Sequence, residues 1–315
     1  MEHPTTEPTL TLQDIADLAK VKRSVVSTWR NRRSIKSEHV AFPRPVAEIG
    51  GIARFAPAEV IDYLERTGRG NNTEFRLDAA AVGAPDGVQL EDLVTLLCLR
   101  QLAGDLEQLS ADECLAAAWE HDPGNEMLAA EVAGLNNTRQ ARVFIDGLVA
   151  SSFGGTDALA KLESSRVGRE LAVRDLNPDA VALLGTVVNA CRMELGTYTA
   201  QVVSAGDEPS VVLALSDAHP DIEVHALGDT PAARALRRRM VIREQEQASG
   251  CGPRVRLLSV VGAELSQALD NVDYVLAGLE PGEIAVILGA ASALCDSIPR
   301  VGARANIRRA SGRTP

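Results

Sequence analysis

The residues whose types and spacing could do chemistry lie near the amino terminus. From Ser24 to Arg32, Val25, Val26 and Trp29 recur at helical spacing, and Arg23, Ser24, Ser27, Thr28, Arg30 and Asn31 fall on the opposite face. Such side chains donate hydrogen bonds to phosphates and base edges, so the chemistry is recognition of nucleic acid. Between Lys20 and Arg44 stand eight Lys/Arg against one acid, Glu38. Ser24, Ser27, Thr28, Arg30 and Asn31 are candidate base readers within a recognition helix Arg23 to Arg32. Lys22, Arg32, Arg33, Arg44 and Arg54 are candidates for phosphates or, from a neighbouring hairpin, the minor groove.

Several elements must position that face. Gln13 to Ala19 carries Ile15, Ala16, Leu18 and Ala19 and forms a first short helix, which Val21-Lys22 interrupts; Val25, Val26 and Trp29 are expected to face it. Phe42-Pro43-Arg44-Pro45-Val46 must be extended, because each proline removes a donor and biases its predecessor away from helix. Gly50-Gly51 gives a turn into Ile52-Ala53-Arg54-Phe55, and Pro57 opens a helix over Ala58 to Leu64. This order resembles the winged helix-turn-helix of the MerR and AlpA (excisionase-like) families, in the FPRPV segment, the Arg54-Phe55 step and the final Ala58-Glu59-Val60 to Tyr63-Leu64 helix. The resemblance covers about a fifth of the chain and implies a recognition helix in the major groove of double-stranded DNA.

Charge confines that contact. The net charge is -11, yet residues 1–76 hold 12 Lys/Arg against 10 Asp/Glu, leaving 20 against 33 elsewhere. An acidic body repels phosphate, so the head alone is expected to touch DNA. Cys98, Cys114, Cys191, Cys251 and Cys295 are too scattered for a zinc site or a disulfide framework, which fits a reducing cytoplasm. The polar start MEHPTTEPT is not expected to be a signal peptide, and no apolar run is long enough to span a membrane.

The expected fold class is α/β overall, with an N-terminal winged helix-turn-helix over 10–68 and a linker over 69–88. A central all-helical layer follows over 89–168, then a C-terminal Rossmann-like methyltransferase-type domain over 169–299 and a basic disordered tail over 300–315. Leu93, Leu96, Leu97, Leu99, Arg100 and Leu102 read as one long amphipathic helix, and Ser110 as the cap of the next. Strands are expected at Thr199–Val203, Ile222–Leu227, Arg254–Val260, Tyr274–Ala277 and Ile284–Leu288, alternating with helices in the manner of a parallel sheet. Arg237-Arg238-Arg239 is expected on a solvated helix face, and His219 and His225 at the surface.

The body resembles actinobacterial adenine-N6 DNA methylases that begin with a comparable head. In that family a D-P-A-C-G-S-G-type loop after the first strand approaches S-adenosylmethionine, an acidic residue after the second holds the ribose, and an N-P-P-F/Y tetrad after the fourth holds the flipped adenine. The matching stretches here are Ser204-Ala205-Gly206-Asp207-Glu208-Pro209-Ser210, Asp229, and Val275-Leu276-Ala277-Gly278-Leu279-Glu280-Pro281. Asp207 and Glu208 would satisfy the helix dipole themselves and repel the cofactor carboxylate. The tetrad's Asn, prolines and aromatic are all missing. No catalytic, cofactor-binding or metal residues are therefore expected. The resulting expectation is a cytoplasmic, nucleoid-associated protein that binds specific DNA in a regulatory or accessory role. It would act as a homodimer on two half-sites, with a non-catalytic body for dimerisation or contact with a second protein subunit. The competing expectation is an S-adenosylmethionine-dependent methylase, or a subunit of a restriction-modification system.

Overall fold

Thr11 starts the first helix by a reciprocal cap: its backbone N–H donates to Asp14 Oδ2 at 2.8 Å and its hydroxyl accepts from the Asp14 N–H at 3.1 Å. The structure, a computed structural model of the chain, describes residues 9–31, 40–85, 87–135, 138–165, 168, 176–196, 201–204, 209–226, 228–245, 253–290 and 294. They form a mixed α/β chain dominated by helix, which divides into two compact units: residues 1–173 with 234–246, and residues 174–233 with 247–315.

In the first unit, α1 (Leu12–Leu18) and α2 (Arg23–Asn31) meet across a turn in which Lys20 takes a left-handed φ of 52°. Strands β1 (Ala47–Ile49) and β2 (Ile52–Arg54) pair antiparallel through Gly50 and Gly51, whose φ values of 59° and 75° give the tight turn that matches strand twist. Leu10 exchanges backbone hydrogen bonds with Phe55, tying the entering chain to the hairpin. Helix α3 (Pro57–Thr67) opens on proline and closes on Gly68 in the left-handed region. Its Val60, Tyr63 and Leu64 complete a core with Leu10, Ile15, Leu18, Val26, Trp29 and Phe55.

The expected linker is a correction. It contains α4 (Phe75–Val82), and the Gly/Asn-rich stretch before it is stitched to α1. Asn72 Nδ2 donates to Leu18 O at 2.7 Å, the Asn71 N–H donates to Ala19 O at 2.8 Å, and a Cβ on Gly70 would lie 2.9 Å from Ala19 O. Glycine and asparagine serve close approach here, rather than a free tether.

Helix α5 (Leu90–Ala103) is buried continuously from Leu93 to Leu99, so the expected amphipathic helix is instead a central one. Around it lie α6 (Ala111–His121), α7 (Ala129–Gly134), α8 (Arg139–Ala150) and α9 (Gly155–Ser164), which share its core. The Asp122 carboxylate accepts the N–H groups of Glu126, Met127, Leu128 and Ala129 at 2.7–3.2 Å. Burial opposes its charge, but these four donors outweigh burial and hold its pKa below the ordinary value.

The layer does not end at residue 168. The chain returns to it through the later part of α12 (Pro231–Ile242), whose Ile242 lies in the same core. The expected solvated arginine face is accordingly corrected: Arg238 and Arg239 are 2% and 3% exposed. Arg239 reaches Glu91 at 2.6 Å and Glu163 at 2.8 Å, and Arg238 reaches Glu91 at 3.2 Å and the Met127 carbonyl at 2.8 Å. An arginine run on a helix necessarily points several ways, and here acids on α5 and α9 meet the inward members.

In the second unit, α10 (Pro178–Glu194) precedes β3 (Gln201–Ser204), α11 (Pro209–Ala218), β4 (Val224–Ala226), β5 (Arg254–Ser259), α13 (Leu265–Ala277) and β6 (Ile284–Leu288). The four described strands are parallel, in the order β4-β3-β5-β6. The strand expected at Tyr274–Ala277 is a correction: those residues end α13, where Ala268, Val272 and Val275 pack at helical spacing against Leu258 and Val260. A four-residue apolar run cannot by itself distinguish strand from buried helix. Arg192, buried in α10, binds the Asp221 side chain and carbonyl at 3.0 and 3.1 Å ahead of β4. The Glu283 side chain is likewise buried, between Arg256 at 2.6 Å and Arg254 at 3.6 Å.

Gly185 of α10 meets the His219 imidazole, and an added Cβ would overlap it. Gly185→Ala should improve helix propensity by about 1 kcal/mol, yet forcing the ring aside should cost about 1–3 kcal/mol. We expect net destabilisation in thermal melts, relieved when His219→Ala is added. Equal melting of the single variant and the wild type rejects that packing role.

Candidate nucleic-acid interface

Val26 and Trp29 are the buried residues of α2, and they fix which way the rest of the helix points. Trp29 lies 6.5 Å from the Tyr63 ring, Phe42 packs edge-on against Phe55 and Tyr63, and the Arg69 guanidinium covers both Trp29 and Tyr63 at 5.5 and 5.7 Å. Burial raises the Tyr63 phenol pKa against the opposing charge and hydrogen bond of Arg69, so the ring stays neutral under this cation. The helix is thereby seated on a stiff aromatic base.

On the outer side, Lys22, Arg23, Ser24, Ser27, Thr28, Arg30 and Asn31 are all exposed. Ser24, Ser27 and Asn31 project from the centre of that face at helical spacing. The Thr28 hydroxyl donates to Ser24 O at 2.9 Å, which leaves it acceptor capacity for a ligand. Val25 is 37% exposed and does not join the buried face as expected. It sits about 100° round the helix from Val26, and with Lys22 it lines a cleft of about 970 Å³ that also holds Lys20, Asp157 and Lys161.

Arg23 and Arg30, two turns apart, share the flank nearest the hairpin. They line a second concavity of about 460 Å³ with Thr11, Gln13, Glu48, Ile52 and Arg54. Arg44 is exposed in the extended stretch before β1. Arg54 is a correction: it is 7% exposed, because β2 turns it inward at the base of the hairpin, so it cannot serve as a free phosphate hook. Arg32 and Arg33 lie outside the described residues, as does the basic tail. Thr11, Gln13 and Glu48 were not among the sequence candidates; the Thr11 to Asp14 capping box was the available signal for where α1 starts.

Little in the second unit converges comparably. Residues 205–208, between β3 and α11 in sequence, lie outside the described residues, and Pro209 opens α11 without an N–H. Asp229 is exposed beside Gly228, whose φ is 75°. His225, expected at the surface, is 8% exposed on β4. Burial pushes its pKa down; Glu223 opposes that and Arg254 adds to it. Among the described residues no cluster of His, Cys, Asp or Glu could hold a metal ion, and no helix is long and apolar enough to cross a membrane. No protein-family model, curated protein or solved structure matches the chain.

Proposed function

We propose that this chain binds double-stranded DNA sequence-specifically, in a regulatory or accessory role, through a winged helix-turn-helix in which α2 is the recognition helix and the β1–β2 hairpin the wing. The observation that carries the reading is the two-sided character of α2. Val26 and Trp29 fix one side in a closed core, and an unbroken set of Arg, Ser, Thr and Asn side chains is left on the other. One small head supplies a limited interface, so two copies on two half-sites complete the reading.

The body is read as non-catalytic. A Rossmann dinucleotide half places its third strand outside its second, whereas among the described strands of the second unit the third, β5, lies next to the first, β3. Fit to S-adenosylmethionine is poor as well: Pro209 has no donor at the helix start, and the two residues that precede it in sequence, Asp207 and Glu208, are acids that repel a carboxylate. With Tyr274–Ala277 helical, the base-holding tetrad would have to follow β5 instead. Ser259-Val260-Val261-Gly262 there again contains no Asn, proline or aromatic residue.

Selection of bound duplexes from a random pool, repeated at two salt concentrations, tests the reading. We expect one enriched sequence. With Lys22, Arg23, Arg32, Arg33 and Arg44 on phosphates, log K should fall with log salt at about −4 to −5 per head. No enrichment, or a slope near zero, rejects it.

A further inference from the structure

The hairpin carries a feature that phosphate contact does not use. Ile49 and Ile52 pair directly across the strands next to the turn, and they are 55% and 52% exposed. Gly50 and Gly51 beyond them have nothing within 4 Å of a built Cβ, so the tip is slim and stands clear of the body. Aliphatic side chains left half in water contribute little to folding.

Their position relative to α2 matters more. Ile52 and Gly51 line the same concavity as Arg23 and Arg30, so the tip and the recognition face border one cationic trough. If α2 occupies a major groove, the sugar-phosphate strand bounding that groove has to pass along this trough. What lies on its far side is the adjoining minor groove, about half a helical turn, or about 5 base pairs, away. Strands in a ribbon lie about 4.8 Å apart before side chains are counted, while the undistorted minor groove is about 6 Å wide. A tip carrying two isoleucines cannot enter it without opening it. Aliphatic side chains achieve such opening by wedging between base steps and unstacking them.

We infer that Ile49 and Ile52 form an apolar wedge that enters the minor groove beside the α2 site and kinks the duplex. The inference rests on the DNA-binding reading above and adds a deformation to it. It also adds specificity at positions α2 does not touch, because pyrimidine–purine steps open most easily. Glu48 lines the trough too, and its carboxylate disfavours phosphate there except where the Arg23 charge offsets it.

The test uses the full-length chain and a duplex enriched from the random pool, labelled at both ends so that energy transfer reports its end-to-end distance. We expect a bend of about 20–90°. Ile49→Thr with Ile52→Thr keeps β-branched residues and so preserves the hairpin. This variant should largely lose the bend and about tenfold in affinity while enriching the same α2 bases; Ile49→Leu with Ile52→Leu should retain both. A bend unchanged in the threonine variant overturns the wedge, and so does an unbent complex of the wild type. If the threonine variant instead alters sedimentation of the free protein and leaves the bend alone, the tip is a self-association surface and the wedge is again overturned. Failure of the wild type to bind any duplex removes the DNA-binding reading itself, which separates the two failures.

Discussion

Replacing Arg30 and Asn31 together by alanine should abolish sequence-specific binding while leaving the head folded. Arg pairs bidentately with guanine and Asn with adenine, each such contact contributing about 1–3 kcal/mol of discrimination. Loss of both therefore amounts to about 2–6 kcal/mol, or about 30-fold to 10⁴-fold at 1.4 kcal/mol per decade. The proposed phosphate contacts of Lys22, Arg23 and Arg44 are left in place, so weak salt-sensitive binding should persist. Neither side chain is needed for packing, since both are exposed and the buried contacts of α2 come from Val26 and Trp29. Alanine is the better helix former; losing the cation in the last turn costs about 0.3–1 kcal/mol at most. A gel shift with the enriched duplex and a scrambled one, beside a thermal melt, checks the expectation. Full affinity for the enriched duplex in the double variant would mean that α2 does not read bases.

What the sequence discloses about that site follows from where period and composition are unambiguous. Val26 and Trp29, three residues apart, define a helical face, and Arg30 and Asn31 must then lie away from it. Val25 shows the limit: an apolar residue on the flank of the stripe is assigned inward by type but left outside by angle. The paired prolines and glycines of 42–51 announce the hairpin because each restricts the backbone in a known way. Burial of Arg54 depends on where the hairpin base meets the body, which no local pattern encodes. The same holds between distant segments. Gly70, Asn71 and Asn72 read as a linker until the backbone of α1 is known to lie against them. The parallel strands are legible in their β-branched runs, whereas Tyr274–Ala277 reads as one of them because its helical period starts nine residues earlier, at Leu265. Arg238 and Arg239 read as surface because arginine usually is. Their acceptors, Glu91 and Glu163, stand far away in the chain, and only the fold brings them together.

Glu91 is accordingly the residue on which the first unit should depend most. Arg238 and Arg239 are each 3% exposed in their side chains, and Glu91 is the acid they share, at 3.2 and 2.6 Å. Removing the shared partner of two buried cations leaves Arg239 with Glu163, and Arg238 with the Met127 carbonyl and Glu131 at 3.7 Å. Breaking a fully buried pair costs about 3–5 kcal/mol. The Glu91 side chain keeps 40% of its exposure, so water screens part of the interaction. Glu91→Gln should therefore destabilise the first unit by about 2–3 kcal/mol. Cys98 reports the loss locally. Burial pushes its thiol up to about 12, with Arg238 opposing and Asp122 reinforcing, so it should resist thiol reagents in the wild type and react faster in the variant. The pH dependence has a definite sign. Burial alone would raise the Glu91 pKa, but the hydrogen bond and charge of Arg239 and then of Arg238 outweigh it and hold the group below its ordinary 4.5. A carboxylate depressed in the folded state contributes stability that is fully present above its unfolded value and is lost as pH falls through the folded one. The gap between wild type and Glu91→Gln in urea unfolding should thus be constant above about pH 5 and close progressively below 4.5. A gap that is absent at pH 7 would show that the three charges only offset their own desolvation, and that apolar burial holds α12 in place. A gap that widens in acid would mean that Glu91 is not the acid that Arg238 and Arg239 depend on.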